Sequence, residues 1–106
     1  MVSEEAVVEK LAQFDDVSER KDGALRIFER AGRIMMCIEA GTAPLRLELR
    51  CDRKLSKTLQ ERYESVMESR ALGRNGIEII CSGQLSDDEV MDLVRHGYEM
   101  SAPETE

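Results

Sequence analysis

Eight side chains define the chemistry this sequence could do. Arg26, Phe28 and Arg30 alternate along one stretch, Arg46 and Arg50 along another, and Arg53, Lys54 and Lys57 follow directly. In an extended strand, residues two apart share a face. If Ile27 points into the core, Arg26, Phe28 and Arg30 point the same way as Arg46 and Arg50. One sheet face would then carry four arginines around one aromatic ring. Guanidinium groups neutralise phosphates and a ring stacks on a base, which is how single strands are held without sequence preference. Arg53, Lys54 and Lys57 would extend the patch. Two features oppose this reading. Glu29, Glu39 and Glu48 are interspersed and could pair across strands with the same arginines. The net charge of −7 and the pI near 4.8 are far from the basic footprint of a nucleic-acid-binding domain. Internal pairing is the simpler account of these residues.

Other chemistries find less support. His96 is the only histidine, so a Ser-His or Cys-His pair would have to include it, and its place beside the apolar stripe of its helix reads as solvent-facing. "AGR" and "GRNG" are turn-sized and lead into no helix, so no phosphate loop or cofactor is expected. Cys37, Cys51 and Cys81 are odd in number, far apart and inside expected strands. They read as small buried hydrophobes and not as disulfides or zinc ligands. Glu4, Glu5, Glu9, Asp15 and Asp16 could offer oxygen ligands to a hard cation. The simpler reading is a solvated helix face, with its first acids favouring the helix dipole. Met35, Met36, Met67, Met91 and Met100 would suit an adaptable protein-binding surface, or a core short of aromatics.

The elements that must position these groups follow from periodicity and caps. Residues 3–18 read as a helix capped by Ser3, with Val7, Leu11 and Phe14 on one face. Residues 20–23 read as a connector. Strands are expected over 25–30 and 33–39, joined by a tight turn at Ala31-Gly32, and over 45–51 after the 40–44 loop. In the middle strand Ile34, Met36 and Ile38 would share one face, and Met35 and Cys37 the other. Asp52 is a natural cap for a helix carrying Leu55, Leu59, Tyr63 and Val66. Residues 67–76 read as an irregular loop and 77–82 as a strand. Ser86 and Glu89 make a capping box for a last helix reaching residue 100, and residues 102–106 read as a frayed tail. The order α-β-β-β-α-β-α, with three hairpin-linked strands, predicts a two-layer α+β domain: an antiparallel sheet with helices on one face.

At 106 residues the chain reads as a single domain, 1–106, with a helix and connector over 1–24. No apolar run approaches the roughly 20 residues of a membrane span. The N-terminus "MVSEEAVVEK" lacks the positive charge of a signal peptide, so a cytosolic protein is expected. Charge is unevenly placed. Residues 1–25 hold three basic and seven acidic residues, 26–74 eleven and seven, and 75–106 one and eight.

The run from "FERAGRIMMCI" through "LRLELRCDRKLSKTLQERY" to "GQLSDDEVMDLVRHGYEM" resembles the MmcQ/YjbR-like family of small bacterial proteins. The matching features are Gly32 between two strands, Asp52 as a cap, Leu55 and Leu59, "SGQLSDDE", and Tyr98. The resemblance spans roughly residues 25–101. It implies a frataxin-like α+β fold and a group described as DNA-binding "double wing" proteins without an established reaction. The family's Asn-Lys-x-His-Trp before the last strand is replaced here by "LGRNGIEI". Residues and resemblance together lead us to expect a non-enzymatic binding domain. Nucleic acid on the basic sheet face is the first expectation. The alternatives are a protein partner, or frataxin-like metal binding by the acidic first helix.

Overall fold

Leu47 and Leu49 alternate with Arg46, Glu48 and Arg50, and this period of two builds the middle of the sheet. The computed structural model describes residues 2–103. Within them the order is α1 (Glu4–Leu11), β1 (Val17–Asp22), β2 (Leu25–Arg30), β3 (Arg33–Glu39), β4 (Arg46–Arg50), α2 (Arg53–Arg62), β5 (Val66–Ser69), β6 (Gly73–Ile80) and α3 (Asp87–Met100). The strands form one sheet in the order β1-β2-β3-β4-β6-β5, every neighbouring pair antiparallel. Phe28, Met36, Ile38, Leu47, Leu49, Ile77 and Ile79 pack with Val7 and Leu11 of α1 and Val90, Leu93 and Val94 of α3. The result is the expected two-layer α+β domain. No helix among the described residues is long and apolar enough to cross a membrane.

The expected caps are present. Ser3 accepts from the Ala6 amide, Asp52 accepts from the Lys54 and Leu55 amides, and Ser86 with Glu89 forms a capping box. Hydrogen bonding of Glu89 to Ser86 holds its carboxyl below the ordinary value. The β2–β3 turn has φ of 53° at Ala31 and 76° at Gly32, the two positive angles of a turn that follows strand twist.

The structure adds two strands and shifts several boundaries. The first helix ends at Leu11 and not near residue 18, because the chain turns at Asp16 (φ 63°) into β1. The supposed connector 20–23 lies largely in β1. Only Val17 of "VSERKD" is shielded, so this charged edge strand carries no alternating signal. Val66 belongs to β5, not to α2, which ends at Arg62 before Tyr63 turns extended. The expected loop 67–76 contains most of β5 and the first half of β6. Of the expected frayed tail, 102–106, the last three residues lie outside the described residues.

One irregularity decides which way β2 faces. Phe28 pairs with Met36 and Glu29 with Ile34, so Met35 is an extra residue in β3. Met35 and Met36 therefore both enter the core, each fully buried, and Ile34 changes sides. Phe28 faces the helices, while Ile27 pairs with Cys37 on the uncovered side of the sheet. This reverses the expected facing of β2.

Truncation of Leu47 or Leu49 to Ala should cost about 2–5 kcal/mol in urea unfolding, as for other fully buried leucines. Gly76→Ala should also destabilise strongly. Its Cβ would lie 2.7 Å from the Leu49 carbonyl oxygen and 2.8 Å from the Leu72 side chain. Wild-type stability in the Gly76 variant would refute this packing.

Candidate functional site

The eight basic and aromatic residues do not assemble on one face. Arg26 lies on the helix side. It donates from Nη1 to Glu4 at 2.8 Å, and from Nε and Nη2 to Glu19 at 2.7 and 3.0 Å. These bonds hold the Glu19 carboxyl below the ordinary range and raise the Arg26 pKa. Phe28 is 4% exposed, in the core, and offers no ring for a base. Arg30 donates to the Tyr98 carbonyl at 2.8 Å, and its guanidinium lies 3.7 Å from the Tyr98 ring centroid. That ring stacks on Phe14 at 4.4 Å, so Arg30 clamps α3 and the segment after α1 to the sheet. Reversal of β2 is the common cause of all three corrections.

Arg46 and Arg50 leave the other side of the sheet, but neither is free. Arg46 donates to Glu78 at 3.4 Å. Arg50 donates from Nε to the Ile34 carbonyl at 2.9 Å, and burial, then Arg33, lowers its pKa. Arg–Glu pairing does occupy the sheet, with partners other than those expected. Glu29 pairs with Arg20 at 3.0 Å and Glu39 with Arg70 at 3.7 Å. Glu48 accepts from the Ser69 hydroxyl at 2.8 Å and the Ala71 amide at 2.9 Å. Opposite it on β6, Glu78 is 1% exposed and also accepts from Arg70 at 2.9 Å.

Arg53, Lys54 and Lys57 remain, all exposed on α2. Arg53 donates to Asn75 at 3.3 Å, which ties the start of α2 to β6. The side chains of Lys54 and Lys57 have no hydrogen-bond or ion-pair partner among the described residues, and neither has Arg74 on β6. Arg53, Lys57 and Arg74 line a groove of about 350 Å³ between α2 and the β5–β6 hairpin, with Ser56, Gln60, Glu61 and Glu68. Two of the seven lining residues, Arg53 and Lys57, are site residues expected from the sequence, and Ser56, Gln60 and Glu61 join them at the spacing of one helix face. Arg74 and Glu68 were not legible, because they reach the groove only through strands that the sequence presents as a loop.

The groups considered for other chemistry lie apart from this groove. The three cysteines are buried thiols as expected. Burial pushes each up to about 11, helped at Cys37 by the Glu48 charge. His96 is not simply solvent-facing: it is half-buried, and Nε2 accepts the Asp52 amide at 3.1 Å. Of the five acids considered for a metal, Glu4, Glu5 and Glu9 lie along α1 beside Arg26, which bonds Glu4, whereas Asp15 and Asp16 fall beyond the end of the helix. Met35 and Met36 are core, Met67 and Met91 are half-buried, and Met100 is 39% exposed.

The architecture is thus a one-sided α+β sheet domain with a mixed-charge groove at its second helix. No protein-family model and no curated protein matches the sequence. Solved structures do share the fold. A Deinococcus radiodurans protein with a DUF419 domain, the MmcQ/YjbR-like family, superposes with a TM-score of 0.82 at 17% identity. It covers 89% of this chain and 74% of its own. A Pseudomonas syringae protein superposes at 0.75 with 10% identity, over 95% of this chain and 100% of that one. At such identities the likeness is one of fold.

Arg26→Gln should cost about 1–2 kcal/mol at neutral pH by removing the partner of Glu4 and Glu19. A depressed folded-state pKa stabilises above the unfolded value and is lost as pH falls through the folded one. Wild-type stability should therefore drop below the ordinary glutamate value of about 4.3, and the variant should drop less over that window. Parallel pH–stability curves would contradict this assignment.

Proposed function

We propose that this chain is a non-enzymatic binding domain that engages the phosphate backbone of nucleic acid through α2 and the facing Arg74. The supporting observation is that Lys57 and Arg74 line one groove with Arg53 and have no hydrogen-bond or ion-pair partner among the described residues, whereas Arg26, Arg30, Arg46 and Arg50 are all held. The interface thereby moves from the sheet face to the helix edge. The positive end of the α2 dipole lies at the same end as Arg53 and Lys54. The net charge of −7 limits affinity to the non-specific range of about 10⁻⁴ to 10⁻⁶ M. A non-enzymatic role is favoured by the groups a reaction would need: the thiols are protonated at neutral pH and the imidazole lone pair accepts a backbone amide.

If Arg53, Lys54, Lys57 and Arg74 each neutralise one phosphate of duplex DNA, log affinity should fall with log salt at a slope near −3.6, from about −0.9 per contact. Lys57→Gln/Arg74→Gln should flatten that slope by about 1.8, and Arg46→Gln/Arg50→Gln should leave it unchanged. Absence of binding to duplex or single strand at low salt would overturn the proposal. A thiol-specific dye at mildly alkaline pH should label Cys37, Cys51 and Cys81 only after denaturation. Rapid labelling of the native protein would reveal a reactive thiol and reopen the enzymatic reading.

A further inference from the structure

The groove carries cations and carboxylates side by side. Along α2 the lining runs from Arg53 and Lys57 through Gln60 to Glu61. The opposite wall carries Arg74 on β6 and Glu68 on β5. The Arg53–Asn75 bond places Arg74 beside the start of the helix. Arg53 and Glu61 are eight residues apart, about 12 Å along a helix. Lys57 is only one turn from Glu61, about 6 Å, and the pairing of Ser69 with Gly73 sets Glu68 next to Arg74, so each carboxylate lies about one nucleotide's reach from a cation. A phosphate backbone alone has no use for Glu61 and Glu68, which would only repel it.

We propose that this groove seats one nucleotide of a single strand in a fixed direction. Its phosphate lies against Lys57, with Arg53 and Arg74 on the flanking phosphates, and an exocyclic amino group of its base donates to Glu61 or Glu68. The inference rests on the nucleic-acid reading of the same groove. Carboxylates accept from the cytosine N4 amino group, and thymine presents a carbonyl oxygen at that position, which a carboxylate repels. A single strand leaves these base edges open, whereas a duplex pairs them. The volume, about 350 Å³, lies at the lower end of the range in which small ligands are held. Glu61 and Glu68 have no hydrogen-bond or ion-pair partner among the described residues, so both carboxylates are available to the ligand. The contact distinguishes cytosine from thymine, two pyrimidines of similar size. Any preference between them is then read by hydrogen bonding and not by bulk.

The test compares fluorescein-labelled oligo(dC) and oligo(dT) of about 12 residues by anisotropy at low salt and neutral pH, a length within single-strand site sizes. Oligo(dC) should bind about fivefold or more tightly. Glu61→Gln/Glu68→Gln should abolish that ratio while strengthening oligo(dT) binding, because two repelling charges are gone. Both glutamates are exposed, and an unchanged melting temperature would show the variant folded. Equal binding of the two oligomers by the wild type would overturn this inference and leave the backbone-binding reading intact. A preference that survives in the double variant would overturn it as well. Binding of neither oligomer, nor of duplex, would overturn both.

Discussion

A sheet covered by helices on one side must satisfy the other side with its own side chains. This constraint governs the molecule. On the uncovered side Glu48 and Glu78 face each other across β4 and β6, 7% and 1% exposed. Two adjacent buried carboxylates repel, and each must be hydrogen-bonded to be tolerated. The β5–β6 turn supplies much of what is needed: the Ser69 hydroxyl and Ala71 amide reach Glu48, and Arg70 reaches Glu78 and Glu39. Arg46 adds its guanidinium to Glu78. The same turn brings Leu72 against Gly76, where no side chain would fit. Arg26, Arg30, Arg46, Arg50 and Arg70 are therefore structural, while Lys54, Lys57 and Arg74 have no hydrogen-bond or ion-pair partner among the described residues.

How the sequence reads depends on what each element has to bury. Ser86 and Glu89 announce α3, Asp52 announces α2, and Leu47 and Leu49 announce β4, because each carries its signal locally. β1 and β5 were invisible for opposite reasons. β1 is an edge strand held by backbone pairing, with five exposed residues, so it has no apolar rhythm to detect. Val66 lies at a plausible helical interval after Leu55, Leu59 and Tyr63, and its pairing with Ile79 is a long-range fact. The extra residue at Met35 is the most consequential. Strict alternation assigns Met35 and Met36 to opposite faces, and the bulge sends both inward and turns Phe28 with them.

That single reversal removes three of the eight residues that spacing suggests. Arg26 and Arg30 become anchors for α1 and α3, and the ring expected to stack on a base becomes core. Arg53, Lys54 and Lys57 survive because helix geometry is local and their side chains leave the fold. The groove gains Arg74 from β6 and, with Glu61 and Glu68, a mixture of charges that a uniformly basic surface lacks. The likeness to the Deinococcus radiodurans and Pseudomonas syringae proteins supports the architecture and leaves the ligand to be argued from these side chains.

The most direct measurement is a backbone amide NMR titration of the protein with a short single-stranded oligonucleotide at low salt. Shift changes should be confined to α2, from Arg53 to Glu61, and to the neighbourhood of Glu68 and Arg74. The amides of β2 and of Arg46–Arg50 should stay in place. Shifts concentrated on the uncovered face around Arg46 and Glu78, with α2 unmoved, would contradict the groove as the binding site.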